Sequence, residues 1–351
     1  MRVALIVYGS LGQRSGGYLY DRMLVRALRD AGDEVIVVSL RRRPFPAALL
    51  DNFFPLASRL ARFSPDLILE DELCHLSLCW ANAAIARRLR RPIIAIVHHL
   101  RVSEFPRDRL GALFERRYLL SLTGAIVNSR ATMASVLALR GSALPCHLAF
   151  PGRDRLGALA AEDVVARARH PRPLRIVTVG NLEPRKNVET LICAAAQLPP
   201  GAWQLTIVGG VVAPRYAAAL RRQARALGVE EAVQFSGRLA DSALIQILRK
   251  SDVFAQPSWH EGFGIAALEA MGFGLPAIVS WAGGASEFVT SGENGFLVDP
   301  ADVGGVAAAL RALLDRERRL AMSLAALDRY NRHPTWKQSM EDARAFLAAC
   351  H

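Results

Sequence analysis

Two glutamates stand eight positions apart in the stretch Trp259-His260-Glu261-Gly262-Phe263-Gly264-Ile265-Ala266-Ala267-Leu268-Glu269-Ala270. A carboxylate accepts two hydrogen bonds side by side, which suits the vicinal hydroxyls of a ribose or a hexose. Gly262 and Gly264 let the backbone approach a ligand closely. They also leave the first N–H groups of a helix expected to begin near Gly264 open to phosphate or sugar oxygens. An isolated pair at this spacing reads more simply as a helix-terminal charge followed by a surface acid. Glu269, however, lies in the apolar helical stretch IAALEAM, where an acid needs a partner.

A second loop, Gly180-Asn181-Leu182-Glu183-Pro184-Arg185-Lys186-Asn187, carries adjacent cations after an apolar run. Placed at the end of a strand, Arg185 and Lys186 suit a diphosphate whose charge grows as it leaves; the plainer reading is a solvated polar turn. Gly283-Gly284-Ala285-Ser286-Glu287 is a further glycine turn. The loop Gly9 to Gly17 does not have GxGxxG spacing, and the acids Asp33 and Glu34 only open the next strand, which speaks against a dinucleotide dehydrogenase. No GxxxxGK[ST] is present, so a P-loop hydrolase is excluded. His98-His99 ends another apolar run and suits either catalysis or the satisfaction of buried backbone groups. No His, Asp or Glu cluster has metal-ligand spacing, so neither a metal nor a cofactor is expected.

These loops need strands to hold them. Val3–Tyr8, Glu34–Leu40, Asp66–Glu70, Ile93–Val97 and Gly124–Asn128 read as strands, with a helix over Tyr20–Asp30. The pattern restarts with Leu174–Val179, Trp203–Val208, Ala232–Phe235, Val253–Gln256 and Ala277–Ser280, and with a helix over Val188–Leu198. Strands that alternate with helices and are apolar on both faces imply parallel sheets covered on both sides. The predicted fold is α/β, two doubly wound Rossmann-like domains facing a cleft. The first spans 1–165 (acceptor side) and the second 166–333 (donor side), with a helix over 334–351 returning to the first. Gly152–Arg172, ending in HPRP, reads as the connection.

Composition narrows the class. The 351 residues are 52% hydrophobic and 22% charged, enough for two packed domains and unlike a disordered chain. The apolar run at Met1–Tyr8 is too short for a signal-peptide core. Ala266–Ala285 is long enough for a membrane span but contains Glu269 and Pro276, and reads as helix, turn and strand. The 5 cysteines are scattered without CxxC spacing, as in a reducing cytoplasm. The net charge of +12 is concentrated in the first half. It fits a phosphorylated substrate, nucleic acid, an anionic membrane or a solvated arginine-rich surface. No organised aromatic and arginine patch suits nucleic acid, and no nucleic-acid partner is expected. Arg107–Ser121 places Leu110, Leu113, Phe114 and Tyr118 on one helical stripe beside several arginines. Such a stripe packs on a core or rests peripherally on an anionic bilayer.

Taken together, these motifs resemble the retaining GT-B glycosyltransferases of family 4 (glycosyltransferase group 1). The E-x7-E of that family is matched by Glu261 and Glu269, and its G-R-L-x-P-x-K-G by GNLEPRKN. Gly274, Pro276 and Ile278 match G-x-P-x-[IV], Gly283, Gly284 and Glu287 match GG-x-x-E, and NGFLV at Asn294–Val298 matches NG-x-L-V. Asn128-Ser129 with Ala131-Thr132 resembles NS-x-AT, and Gly16-Gly17 the glycine pair after the first strand. The resemblance implies a metal-independent enzyme moving a hexose from a nucleotide-diphosphate sugar to a glycan or lipid-linked acceptor in cell-envelope or exopolysaccharide synthesis. It implies a cytoplasmic protein, peripheral on the cytoplasmic face of the membrane where the acceptor is lipid-linked. It implies that Glu269 holds ribose, Glu261 the donor sugar, and Arg185 with Lys186 the diphosphate. Gly180, Asn181, Gly262, Phe263, Gly264 and Ile265 then line the donor, and Gly16, Gly17 and His98 act from the first domain. Asn181 replaces a common arginine, Asn187 a common glycine, and PGRD at Pro151–Asp154 the usual PNG-x-D. A nucleotide-sugar epimerase of the same fold is the alternative.

Overall fold

The computed structural model describes residues 1–169 and 173–351, and the chain divides into two compact units. Unit 1 comprises Met1–Gly152 with Thr335–His351, and unit 2 comprises Arg153–Pro334.

Unit 1 holds a parallel sheet of β1 (Arg2–Tyr8), β2 (Glu34–Leu40), β3 (Leu67–Asp71), β4 (Ile93–Val97), β5 (Gly124–Val127) and β6 (Cys146–Leu148), in the order β2-β1-β3-β4-β5-β6. β3, β4 and β5 are buried throughout, as expected for strands covered on both faces. β6 has no counterpart among the expected strands. It is a three-residue edge strand, half-exposed along its length, so it lacks the apolar run that marks a central strand. The first helix spans Gly16–Asp30 and starts earlier than Tyr20, because Ser15 caps it by accepting a hydrogen bond from the Tyr18 N–H. The helix Trp336–Ala349 belongs to unit 1. A capping box formed by Thr335 and Gln338 starts it, and Trp336 meets Tyr20 edge-on at 5.9 Å.

Unit 2 holds β7 (Leu174–Val179), β8 (Trp203–Val208), β9 (Val233–Gly237), β10 (Val253–Gln256), β11 (Ala277–Ser280) and β12 (Gly295–Val298) in a parallel sheet ordered β12-β11-β10-β7-β8-β9. Unit 2 begins at Arg153, ahead of the boundary drawn at residue 165 from the sequence. The reason is local: Leu159 N–H donates to the Gly272 carbonyl at 2.9 Å, and Arg167 caps Phe273 and Gly274 carbonyls at 2.8 and 2.7 Å. Part of the expected connection, His170–Arg172, lies outside the described residues. The helix expected to reach Leu198 ends at Ala195. The uncharged stretch after residue 265 is a helix (Ile265–Met271), a turn with Gly274 at φ +62°, and β11. No described helix is long and apolar enough to cross a membrane.

Both sheets reverse their winding beside their first strand. In unit 2, β7 lies between β8 and β10, so the loops after β7 and β10 flank the switch point, where doubly wound sheets bind ligands. In unit 1 the corresponding loops follow β1 and β3.

Candidate active site

The two loops at the unit 2 switch point are the ones that carry the expected cations and the first glutamate. The loop after β7 turns through Pro184–Lys186, and the loop after β10 leads to Gly264. They are tied together by their backbones, Trp259 N–H donating to the Arg185 carbonyl at 2.9 Å. Across this tie Lys186 Nζ donates to Glu261 Oε1, and Arg185 Nη1 lies 3.5 Å from the same oxygen. Ser258 Oγ donates to Glu261 Oε1 at 2.9 Å. Burial alone would raise the Glu261 carboxyl, but Lys186 and Arg185 lower it to about 2, so it is ionised throughout the physiological range. Arg185 is braced by the His260 carbonyl at 3.0 Å and Glu183 at 2.8 Å.

Gly180 sits under this cluster. A side chain there would come within 2.8 Å of the Gln256 amide and 3.1 Å of the Lys186 stem. Asn187 ends the cationic loop at φ +51°, where asparagine is one of the few non-glycine residues tolerated. Its amide donates to the Pro257 and Pro300 carbonyls at 2.9 and 2.7 Å, which ties three loops together and explains an asparagine in a glycine's place. Asn181 accepts from Arg238 Nη2 at 3.4 Å, so a guanidinium from the end of β9 reaches the position where the resemblance expected an arginine.

Gly264 adopts φ +95° and starts the helix Ile265–Met271 with no side-chain cap. Gly262 and Ile265 flank it half-buried. Phe263 is buried against Phe288 and His333, with ring centroids 5.1 and 5.5 Å away. Glu269 is buried in this helix and does have a partner. Arg155 grips it through Nε at 2.6 Å and Nη2 at 2.9 Å, and also reaches Asp241 at 2.8 Å. Burial outweighs the guanidinium here and leaves the Glu269 carboxyl above its ordinary range. The bidentate grip fixes the plane of the carboxylate and leaves its remaining lone pairs for another donor.

In unit 1, His98 directly follows β4 and is buried. Its Nε2 lies 3.0 Å from Asp21 Oδ1, Tyr20 meets its ring edge-on at 5.3 Å, and its carbonyl accepts from Asn128 Nδ2 at 2.9 Å and Thr132 Oγ1 at 3.3 Å. Asn128, Ser129 and Thr132 of the NS-x-AT segment therefore act structurally: two hold His98 and Ser129 caps the next helix. Gly17 faces the same ring, and a side chain there would come within 2.8 Å of His98 Cδ2. Gly16 is the first residue of its helix. Behind His98, burial raises Asp21 and Asp71 each to about 7, and it also lowers the histidine. The imidazole is thus a neutral ring oriented by an acid pair. Among the described residues, no group of three or more His, Cys, Asp or Glu is placed to hold a metal ion.

This arrangement can be compared with known proteins. The family described as glycosyl transferases group 1 matches residues 162–330, and that described as glycosyltransferase family 4 matches residues 18–155. The chain belongs to this glycosyltransferase family. A D-inositol 3-phosphate glycosyltransferase from Rhodococcus jostii is 32% identical over 200 residues, which is 54% of this chain and 44% of that protein. A glycogen synthase from Mycobacterium tuberculosis is 39% identical over 153 residues, 42% of this chain and 36% of its own length. The matched region thus spans less than half the length of these curated relatives. Among solved structures, sucrose-phosphate synthase from Thermosynechococcus elongatus superposes with a TM-score of 0.84 at 24% identity, covering 99% of both chains. HepE from Anabaena, solved with UDP and glucose, superposes at 0.82 and 22% identity, also over 99% of both. These likenesses carry the GT-B fold to this glycosyltransferase.

The structure gathers Arg185, Lys186, Gly180 and Glu261 into one cluster and sets Glu269 apart with Arg155. Arg155, Asp21 and Ser258 escaped the sequence reading. Only Glu269's need for a partner pointed to the first. Replacing Arg155 with methionine leaves Glu269 buried and unpaired, and is expected to destabilise unit 2 by about 3–5 kcal/mol in urea unfolding of the whole chain. A loss below about 1 kcal/mol would show that the carboxyl is satisfied without it.

The acid pair makes a second prediction. Unfolded, Asp21 releases its proton near its ordinary value of about 3.9; folded, it does so near about 7. The folded state therefore holds the extra proton between these values, and its stability falls as pH rises through that window. Asp21→Asn removes this contribution. Its melting temperature relative to the parent is expected to improve steadily from acid to neutral pH, and a flat difference would mean that Asp21 ionises normally.

Proposed function

We propose that this glycosyltransferase moves a hexose from a nucleoside-diphosphate sugar, with retention of anomeric configuration and without a metal ion, to a glycan or lipid-linked acceptor. The observation that carries the reading is the convergence of Lys186, Arg185 and ionised Glu261 at the switch point of unit 2. Two cations beside a strand end suit a departing diphosphate, and the glutamate they hold can accept the donor sugar's hydroxyls. We assign the ribose hydroxyls to Glu269 and the donor backbone contacts to Phe263 and Gly264, with Gly262 and Ile265 beside them. Asn181 with Arg238 lies toward the phosphates. From unit 1 we assign Gly16, Gly17 and neutral His98 to the donor phosphates and the reacting carbon. UDP is the favoured nucleotide, since HepE was solved with UDP and with UDP-glucose.

Retention follows from attack on the face the leaving group vacates. The bond from the anomeric carbon to phosphate oxygen breaks as the acceptor oxygen arrives, and that phosphate oxygen takes the acceptor's proton. The chain then contributes position and electrostatics. Cell-envelope or exopolysaccharide assembly is the setting we infer, at the cytoplasmic face of the membrane when the acceptor is lipid-linked.

Thermal melting with UDP, GDP, ADP, CMP and dTDP, each with and without Mg²⁺, tests the donor. At about 100 times its dissociation constant the right nucleotide adds roughly 2.7 kcal/mol, a rise of several degrees. UDP is expected to give that rise whether or not magnesium is present. No rise with any of the five would remove the donor assignment, and conversion of the donor sugar without an acceptor would mark an epimerase. Lys186→Ala is expected to slow the single-turnover chemical step by about a hundredfold or more, with a much smaller change in UDP affinity. Equal losses in both would make Lys186 a binding residue only.

A further inference from the structure

One shoulder of unit 1 exposes large apolar side chains on a rigid support. The residues come from the chain that follows the carboxyl ends of β2, β3 and β4. Phe53 is 81% exposed, and Phe54, Leu110 and Leu113 are 57%, 52% and 59% exposed. The expected stripe of the helix Arg109–Leu120 is thereby divided. Tyr118 is buried in the core, whereas Leu110 and Leu113 stand in solvent. Phe114 is half-buried against the core, its ring lying 5.6 Å from Trp80 and 6.2 Å from Phe45, both exposed.

Polar staples underneath hold this shoulder in shape. Asn52 donates to the Leu49 and Leu76 carbonyls at 2.9 and 2.8 Å and accepts from the Trp80 and Ala81 N–H groups at 2.8 and 3.0 Å. Asp51 is buried and taken up by Arg43 and Ser77 at 3.1 and 2.9 Å. Glu115 is buried and accepts from the Arg101 and Val102 N–H groups. Asp51 and Glu115 are thus consumed internally and the half-exposed Asp108 pairs with Arg101 at 2.9 Å, while Arg87, Arg88, Arg109, Arg116 and Arg117 remain exposed. A groove of about 460 Å³ runs beside Phe54, with Leu56, Ala81 and Ala84 along it and Arg87 and Arg88 at its margin.

We propose that this shoulder docks on an anionic lipid bilayer, with the aromatic and leucine side chains entering the interfacial layer and the arginines at the level of the lipid phosphates. Exposed Phe and Trp on a fixed support suit the boundary between headgroups and acyl chains. The excess of exposed arginine over exposed acid is complementary to an anionic leaflet. The surface supplies the membrane contact of the proposed function and rests on that reading for its purpose, but lipid binding is measured apart from nucleotide binding.

The test is flotation of the full chain with vesicles of phosphatidylcholine alone or mixed with phosphatidylglycerol, in low and high salt. Binding to the anionic vesicles only, weakened by salt, is expected. Phe53→Ser with Phe54→Ser, or Arg87→Ala with Arg88→Ala, is expected to weaken it by about tenfold or more. All four positions are exposed, and an unchanged melting temperature shows that the fold is kept. No binding, equal binding to both vesicles, or binding indifferent to both pairs of substitutions would overturn the proposal. So would a dimer, seen by light scattering, that the phenylalanine variant dissolves while vesicles do not bind. A UDP-dependent rise in melting temperature that persists in any of these cases leaves the transferase reading standing. Lipid binding without that rise leaves the docking surface standing alone.

Discussion

Glu261 is a carboxylate kept ionised against the end of a parallel sheet, and the loops of unit 2 are built around keeping it so. Such a group is expensive to bury unless opposite charge and hydrogen bonds replace its water. Lys186, Arg185 and Ser258 supply both, and each depends on something further. Lys186 needs Gly180 to stay bare, Arg185 needs Glu183 and the His260 carbonyl, and the whole cationic loop needs the left-handed turn at Asn187. The result is a preorganised set of charges whose positions do not wait for a ligand, which is the condition for stabilising a charge that develops during reaction.

Buried acids are handled in two ways, and unit 1 uses both, since its Asp51 is paired with Arg43. Unit 2 pairs its acids with cations, Glu261 with Lys186 and Glu269 with Arg155. Unit 1 lets burial hold protons on Asp21, Glu70 and Asp71, each raised to about 7. A charge is retained at the switch point of unit 2, and suppressed beside His98, which Asp21 orients, and beside Asn82, which donates to Glu70. The two arrangements also respond differently to acid. Lowering the pH toward 4 protonates the unit 1 pair further and stabilises it, while Glu261 stays ionised.

Charge and apolar surface are likewise distributed to different ends. Five arginines of unit 1 stand exposed on one shoulder, whereas the cations of unit 2 at the switch point are directed inward onto a carboxylate. The same residue type thus serves a surface in one place and a site in another, a difference that no count of charges reveals.

The central strands, the loops that follow them and the glycines that shape those loops were legible in the sequence. Each is encoded within a few neighbouring residues: an apolar run for a strand buried on both faces, a glycine where backbone must turn or be approached. β6 and β12 were not read as strands, because both are short edge strands: β6 is half-exposed along its length, and β12 has only three apolar residues after a glycine. What only the tertiary structure decided is pairing at a distance. Arg155 meets Glu269 across 114 positions, Lys186 meets Glu261 across 75, and Asp21 meets His98 across 77. The sequence shows that a buried acid needs a partner, but hydrogen bonds and desolvation act through space. Which residue answers that need is settled only when parallel strands bring their carboxyl ends to one edge.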